Sequence, residues 1–275
     1  MRSILRRAFG SQPFHRAFSS QPFQVPPAHL REQHAITTPL SSTNRVMIIG
    51  NPWMRYALAK MPPEPSVAPL VAAIRDLAPT QRPFRIVSHE EPSGRVFNAA
   101  FFDDEPTMRN WLEWLGSTAL DPSGELHECL APAAADSSAV PTLDTLLFAA
   151  ATRVLADTRF GEYQLGMAAR YSKYTLRAAA MAPEVAEEVA SAEFEQRIAD
   201  CMQAHGVDYF GRLVMDADDG GAAGGGTIIS ATRYGSLDDA ERGTRAVREM
   251  LQRDMERWFV DSATVMGTAS RILEL

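Results

Sequence analysis

Cysteine is nearly absent from this chain. Cys129 and Cys201 stand far apart and form no Cys-x-x-Cys pair, so spacing offers neither a disulfide framework nor a zinc site. No apolar run approaches the roughly 18 residues of a membrane-spanning helix, which leaves no candidate span in the sequence. Basic residues are outnumbered, 27 Lys and Arg against 34 Asp and Glu, for a net charge of −7. Phosphate backbones are bound by concentrated positive charge, so a general nucleic-acid binder is excluded. Also missing are a Gly-x-Ser-x-Gly elbow and a convincing Cys/His nucleophile pair, the usual marks of covalent catalysis. The glycine-rich run at 220–226 is not followed by Lys-Ser/Thr and leads into apolar Ile228 and Ile229. It therefore reads as a hairpin loop and not as a phosphate cradle. Asp216, Asp218 and Asp219 ahead of it lack the periodic ligand spacing of a calcium loop.

Acid is missing from the amino terminus. Between Met1 and Arg31 there is no Asp or Glu, while Arg2, Arg6, Arg7 and Arg16 alternate with Ile4, Leu5, Phe9, Phe14 and Phe18 among serines. A basic, amphipathic, acid-poor segment is drawn by a membrane potential, which is the composition of a mitochondrial transit peptide. A disordered basic tail is the alternative. Arg16-Ala17-Phe18-Ser19-Ser20 resembles the cleavage pattern of matrix presequences, which assigns residues 1–18 to the transit peptide and the mature protein to the matrix. Cleavage before Ser19 removes four arginines and no acid, taking the net charge from −7 to −11. Residues 19–44, rich in Pro, Gln, Ser and Thr, read as a disordered lead-in.

The full 275 residues are 45% hydrophobic, and their length is enough for two ordinary domains. Val46-Met47-Ile48-Ile49 reads as a strand, with strand character again over 54–61. Pro62-Pro63-Glu64-Pro65 stops it, and Val67, Leu70, Val71, Ile74 and Leu77 then recur at helical spacing behind a Ser66 cap. Residues 84–89 and 95–102 alternate as a hairpin about Pro92-Ser93-Gly94. Asp103-Asp104-Glu105-Pro106 opens a second helix striped by Met108, Trp111, Leu112 and Leu115, and 125–130 supplies a short closing strand. Pro141 to Ala156, with Leu143, Leu146, Leu147, Ala150, Val154 and Leu155, reads as an extra helix. The order then repeats: strand near 173–180, helix over 183–205 ended by Gly206, strands over 207–216 and 227–234, a helix capped by Ser236, and a last strand over 264–273.

Strand, helix, two strands, helix, strand, written twice, predicts an α+β fold of two tandem ferredoxin-like (βαββαβ) units. The first spans 45–132, a linker with the extra helix spans 133–170, and the second unit spans 171–275. The second half, through Thr232-Arg233-Tyr234-Gly235-Ser236-Leu237-Asp238-Asp239-Ala240-Glu241-Arg242-Gly243 and on to Leu251, resembles the antibiotic biosynthesis monooxygenase (ABM) family of the dimeric α+β barrel superfamily. In that family a third strand likewise runs through an aromatic residue and a Ser/Asp cap into a long helix. The first half joins by topology alone. Two such units in one chain look like a fused version of the family's barrel, a pseudo-dimeric α+β barrel in which each sheet covers the other's open face.

What the resemblance implies is a small-molecule-binding protein, with cofactor-independent monooxygenation of an aromatic or quinone-like compound as its chemistry and no cofactor of its own. A largely apolar pocket with a few polar or aromatic groups would hold such a compound, and Trp53, Tyr56, Tyr209, Arg233 and Tyr234 lie on strands able to line it. His127 and Cys129, two apart on a strand, lack the third ligand of a metal site. His89, beside Glu90 and Glu91, reads as an exposed turn histidine before a general base, and His205 as a helix cap. The expectation from a different class is a non-catalytic accessory or assembly subunit of a larger mitochondrial complex, since no catalytic constellation is evident and ferredoxin-like sheets associate through their edges. A homo-oligomer is equally compatible.

N-terminal sequencing of the protein recovered from mitochondria is expected to begin at Ser19. Recovery of an intact Met1 terminus from the matrix would sink the targeting assignment.

Overall fold

Arg45–Gly50 forms β1, and Ala68–Asp76 forms α1, whose Leu70, Val71 and Ile74 are buried. The computed structural model describes residues 45–50, 68–93, 96–121, 123–124, 126, 147–158, 160, 163–178, 181–217 and 226–275. The expected transit peptide, the lead-in at 19–44, the strand at 54–61 and His127 and Cys129 lie outside these residues. Strands β2 (Arg85–Glu90) and β3 (Val96–Phe102) form the expected hairpin. Helix α2 (Glu105–Trp114) starts where Asp104 accepts a hydrogen bond from the Thr107 amide at 2.8 Å, with Pro106 in the first turn where its missing N–H costs nothing.

Here the structure departs from expectation. Leu147–Thr158 is not helical but a twelve-residue strand, β4, and it closes the first unit in place of the strand expected at 125–130. Of that segment Leu126 lies in a turn and 127–130 fall outside the described residues. The first unit therefore extends to Thr158. The helix-like spacing has a physical source: β4 pairs with β6 (Tyr209–Ala217) through register shifts at Ala151/Arg153 and Val154/Ala156. Each bulge inserts an unpaired residue and so breaks the period of two that marks a strand.

The second unit holds closer to expectation. Strand β5 (Ala168–Leu176) begins five residues before the expected start. The long helix is two helices, α3 (Ala182–Ala190) and α4 (Ala192–Ala204), because Ser191 is extended (φ −70°, ψ 148°) and its hydroxyl caps α4 at Phe194 N. Gly206 leaves α4 at φ 60°, where a side chain would be strained. Strand β7 (Thr227–Tyr234) leads through the Ser236 cap into α5 (Leu237–Met250) and α6 (Gln252–Trp258), and β8 (Phe259–Glu274) ends the fold.

The eight strands among the described residues form one closed antiparallel barrel in the order β1-β3-β2-β8-β5-β7-β6-β4. Within it, β4-β1-β3-β2 and β8-β5-β7-β6 carry the same 4-1-3-2 order, so each unit is a ferredoxin-like sheet and the chain is a pseudo-dimeric α+β barrel. Two seams join the units: β2 to β8, from Arg85↔Glu274 to Glu90↔Thr268, and β4 to β6, from Ala151↔Ala217 to Thr158↔Arg212.

Alternation along the strands gives three core layers. Ile86, Ala100 and Phe102 face α1 and α2, packing with Leu70, Ile74, Met108 and Trp111. Leu176, Val214, Ile228 and Tyr234 face α3–α6. The opposite faces meet inside the barrel, where Val87, Phe97, Ala99, Phe101, Tyr171, Leu213 and Ile229 pack together. Phe160 and Tyr163, from the segment between β4 and β5, insert among them and are 0% and 1% exposed. The hydroxyls of Tyr163 and Tyr171 hydrogen-bond at 2.6 Å. Arg233 places its guanidinium 5.2 Å from the Tyr163 ring centre and 5.8 Å from that of Phe160, a cation–π arrangement. His89, 0% exposed and stacked on Phe97 at 4.8 Å, is thus an interior residue and not the exposed turn histidine expected. The single-residue alternation of β2 that buries Val87 carries His89 inward with it. The barrel is a filled core.

Two outcomes follow from this packing. A Cβ on Gly267 would stand 2.7 Å from the Glu90 carbonyl oxygen and 2.8 Å from its carbon, backbone atoms across the β2–β8 seam. Gly267→Ala should therefore destabilise by about 1–3 kcal/mol in urea unfolding, and a neutral effect would contradict the seam. Burial holds the His89 imidazole down at about 3, against 6.5 for an ordinary histidine. The unfolded chain then binds the extra proton, so stability contributed by neutral His89 is complete above pH 6.5 and is lost as pH falls toward 3, by at most about 1.4 kcal/mol per pH unit. His89→Phe should show a shallower decline of the urea midpoint between pH 7 and pH 4.5 than the wild type. Parallel declines would refute the buried neutral histidine.

Candidate ligand-binding site

On β7 the residues facing the helices are Ile228, Ser230, Thr232 and Tyr234, every second one, and together they form a floor running the length of the strand. Neighbouring strands add Arg170 and Tyr174 from β5, Val214 from β6 and Thr264 from β8. The roof comes from Phe194, Ile198 and Met202 of α4, Thr244 and Val247 of α5, and Met255 and Trp258 of α6. Between floor and roof lies a cavity of about 450 Å³, within the range that holds small organic ligands. In the first unit the equivalent positions on β3, Ala100 and Phe102, pack directly against the large side chains of α2 and its neighbours.

The helix breaks position the roof. Ser191 lets α4 start in a new direction from α3, and Leu251, at φ −96° and ψ 11°, separates α5 from α6. Exposed Arg248, Glu249, Gln252 and Glu256 at this second break line the cavity on the solvent side, so its mouth opens there.

The walls are largely apolar, with charge placed at defined points. Arg212, 5% exposed, is neutralised by Glu195, at 2.9 Å through Nε and 2.8 Å through Nη2, and also donates to the Val189 carbonyl at 2.8 Å. Tyr209 donates to the same carboxylate at 2.7 Å, and burial, followed by the Glu195 charge, raises its phenol pKa. Arg170, 8% exposed, donates from Nη1 to the Thr244 hydroxyl at 3.2 Å and from Nη2 to the Tyr174 hydroxyl at 3.0 Å. The Thr244 oxygen is oriented for this because its own proton goes to the Ala240 carbonyl at 2.6 Å. Tyr234, 1% exposed, has its pKa raised by burial against the opposing pull of Arg170. It remains a protonated phenol at neutral pH, able to donate a hydrogen bond but not to act as a base. Among the described residues no group of three His, Cys, Asp or Glu side chains is arranged to hold a metal ion, and no helix is long and apolar enough to cross a membrane.

Of the five residues singled out from sequence, Tyr234 lines this cavity and Tyr209 stands beside it, with ring centres 6.4 Å apart. Arg233 does not join them. Adjacent residues on a strand point to opposite faces, so Arg233 enters the barrel while Tyr234 faces the helices. Trp53 and Tyr56 lie outside the described residues. His205 does cap α4, with Nδ1 at 2.9 Å from the Cys201 carbonyl. Trp258 of α6 also walls the cavity. Sequence reasoning missed Arg170 and Thr244. The available signal was an arginine among Ala168, Ser172, Tyr174 and Leu176 on the helix-facing side of β5, but it is visible only once the strand is known to start at Ala168.

No protein-family model matches the chain, and no curated protein is similar to it in sequence. Solved structures similar in fold include a candidate monooxygenase from Lactobacillus acidophilus, at TM-score 0.45 and 10% identity over 84% of this chain and 96% of that one. A candidate monooxygenase from Fusobacterium nucleatum aligns at TM-score 0.46 and 9% identity over 86% and 96%. An anthrone oxidase-like protein aligns at TM-score 0.45 and 9% identity over 86% and 95%. These likenesses concern the course of the backbone, and none carries a residue role to this chain.

Proposed function

We propose that the chain is a small-molecule-binding protein of the mitochondrial matrix. On this reading the cavity of the second unit holds an aromatic or quinone-like compound, which reacts with dioxygen without a cofactor. The observation that carries the binding is the cavity of about 450 Å³ between the second sheet and its helices, with apolar walls and a polar cluster of Arg170, Tyr174 and Tyr234 at its floor and Thr244 above them. A phenol or enol bound there would be favoured in its ionised form by the Arg170 charge. The electron-rich ring, once ionised, reduces dioxygen: a ring CH₂ becomes C=O and the second oxygen atom leaves as water. The ABM resemblance of the second half supports this chemistry, and the acid-free, arginine-bearing amino terminus supports the location.

The accessory-subunit reading is favoured by the filled barrel. Against it, the large apolar side chains exposed among the described residues are Phe210 and Val260. Phe210 sits by the Tyr209↔Tyr234 end of the second sheet and Val260 by the Leu176↔Phe259 end, so the two make no shared docking patch.

Ile198 on α4 lines the cavity, and Ile198→Trp should fill it. Titration with the fluorescent apolar probe N-phenyl-1-naphthylamine is expected to saturate on the wild type and to weaken at least about tenfold on the variant, with circular dichroism unchanged. Anthrone, whose CH₂ is the oxidisable group, should show oxygen uptake above the protein-free rate. Non-saturable probe binding, or binding indifferent to Ile198→Trp, would remove the basis of the proposal.

A further inference from the structure

Arg170 on β5 and Arg212 on β6, the strands flanking β7, line the same cavity, yet they are met differently. Arg212 has a carboxylate at 2.8 Å. Arg170 has two hydroxyls and no carboxylate among the described residues, and its Nε, fully buried, has no acceptor. Hydroxyl dipoles satisfy donors without cancelling charge, and a guanidinium out of water with its charge unmet is among the costlier arrangements in a fold. A second donor in the same wall is in the same position: the buried Trp258 indole N–H has no acceptor among the described residues. The charged residues of the mouth, Arg248, Glu249 and Glu256, are exposed, so solvent screens them from this floor.

We propose that the cavity selects organic anions: an apolar body lies between sheet and helices, and an anionic oxygen, carboxylate or phenolate, is set against the Arg170 guanidinium. This rests on the cavity being a ligand site and adds the chemical class of what it takes. The arrangement gives a role to the arginine that the helix-facing side of β5 carries, braced from two directions. Thr244 and Tyr174 hold the Nη1 and Nη2 ends through hydroxyls alone, so the guanidinium stands in the cavity lining without a counter-charge among the described residues. A guanidinium fixed by neutral partners keeps its full charge for that ligand.

The test uses probes of one shape with and without charge. In calorimetric titration at neutral pH, 2-naphthoate should bind the wild-type chain at least about tenfold more tightly than neutral 2-naphthamide. Arg170→Met should abolish that preference while leaving 2-naphthamide binding in place. The variant's melting temperature in the absence of probe should not fall, because a charge with no counter-charge is replaced by an apolar group of similar length. Naphtholate absorbance from bound 2-naphthol at neutral pH would extend the assignment to phenolates, and bound but un-ionised naphthol would confine it to carboxylates. Equal affinity for naphthoate and naphthamide in the wild type overturns the anion assignment, whatever the fate of the variant, and leaves the cavity reading standing. So does a preference that survives Arg170→Met. Failure of both naphthalenes to bind, together with failure of N-phenyl-1-naphthylamine, overturns the cavity reading itself.

Discussion

Each four-stranded sheet of this chain ends in two edges, its fourth strand and its second, and an edge left bare presents a row of unpaired amides and carbonyls. The chain resolves this by crossing over: the second strand of one unit pairs with the fourth of the other, β2 with β8 and β6 with β4. Everything else follows from these two seams. They remove all edges, turn the inner faces of both sheets toward each other, and require β4 to be long enough to pair with β1 on one side and β6 on the other. They also dictate tight spots such as Gly267, whose Cα faces the Glu90 backbone across the joint.

Closing the barrel decides where a ligand could go. The enclosed volume is taken by Phe97, Phe101, Phe160, Tyr163 and Tyr171, with His89 and Arg233 held among the rings. The space between the two units is thus spent on packing. Among the described residues, a cavity lies on the far side of the second sheet, where helix breaks at Ser191 and Leu251 hold α4, α5 and α6 over a floor of Ser230, Thr232 and Tyr234. The two buried arginines on β5 and β7 mark the difference. Arg233 is accommodated by aromatic faces and by the charge of Asp157, as befits a structural cation. Arg170 is braced only by hydroxyls in a cavity wall.

The tandem βαββαβ order was legible because most of its elements carry strong local signals. Asp104 and Ser236 cap their helices as their positions suggest, and Gly206 ends α4. The segment read as an extra helix, β4, failed for a definable reason: two bulges give its apolar residues a helical spacing, and only pairing on both edges holds it extended. Misplacing the start of β5 by five residues then hid Arg170, which cannot be assigned to a face until its strand is known.

Sequence by itself determined the two repeated units, their helix caps, the acidic balance of the body and the basic amino terminus, because these depend on near neighbours or on composition. Tertiary structure decided that the barrel is filled, that consecutive Arg233 and Tyr234 serve different compartments, and that the cavity lies between helix and sheet and not between the units. The reason is that side-chain facing depends on register, and register here is set by seams joining residues as distant as Arg85 and Glu274.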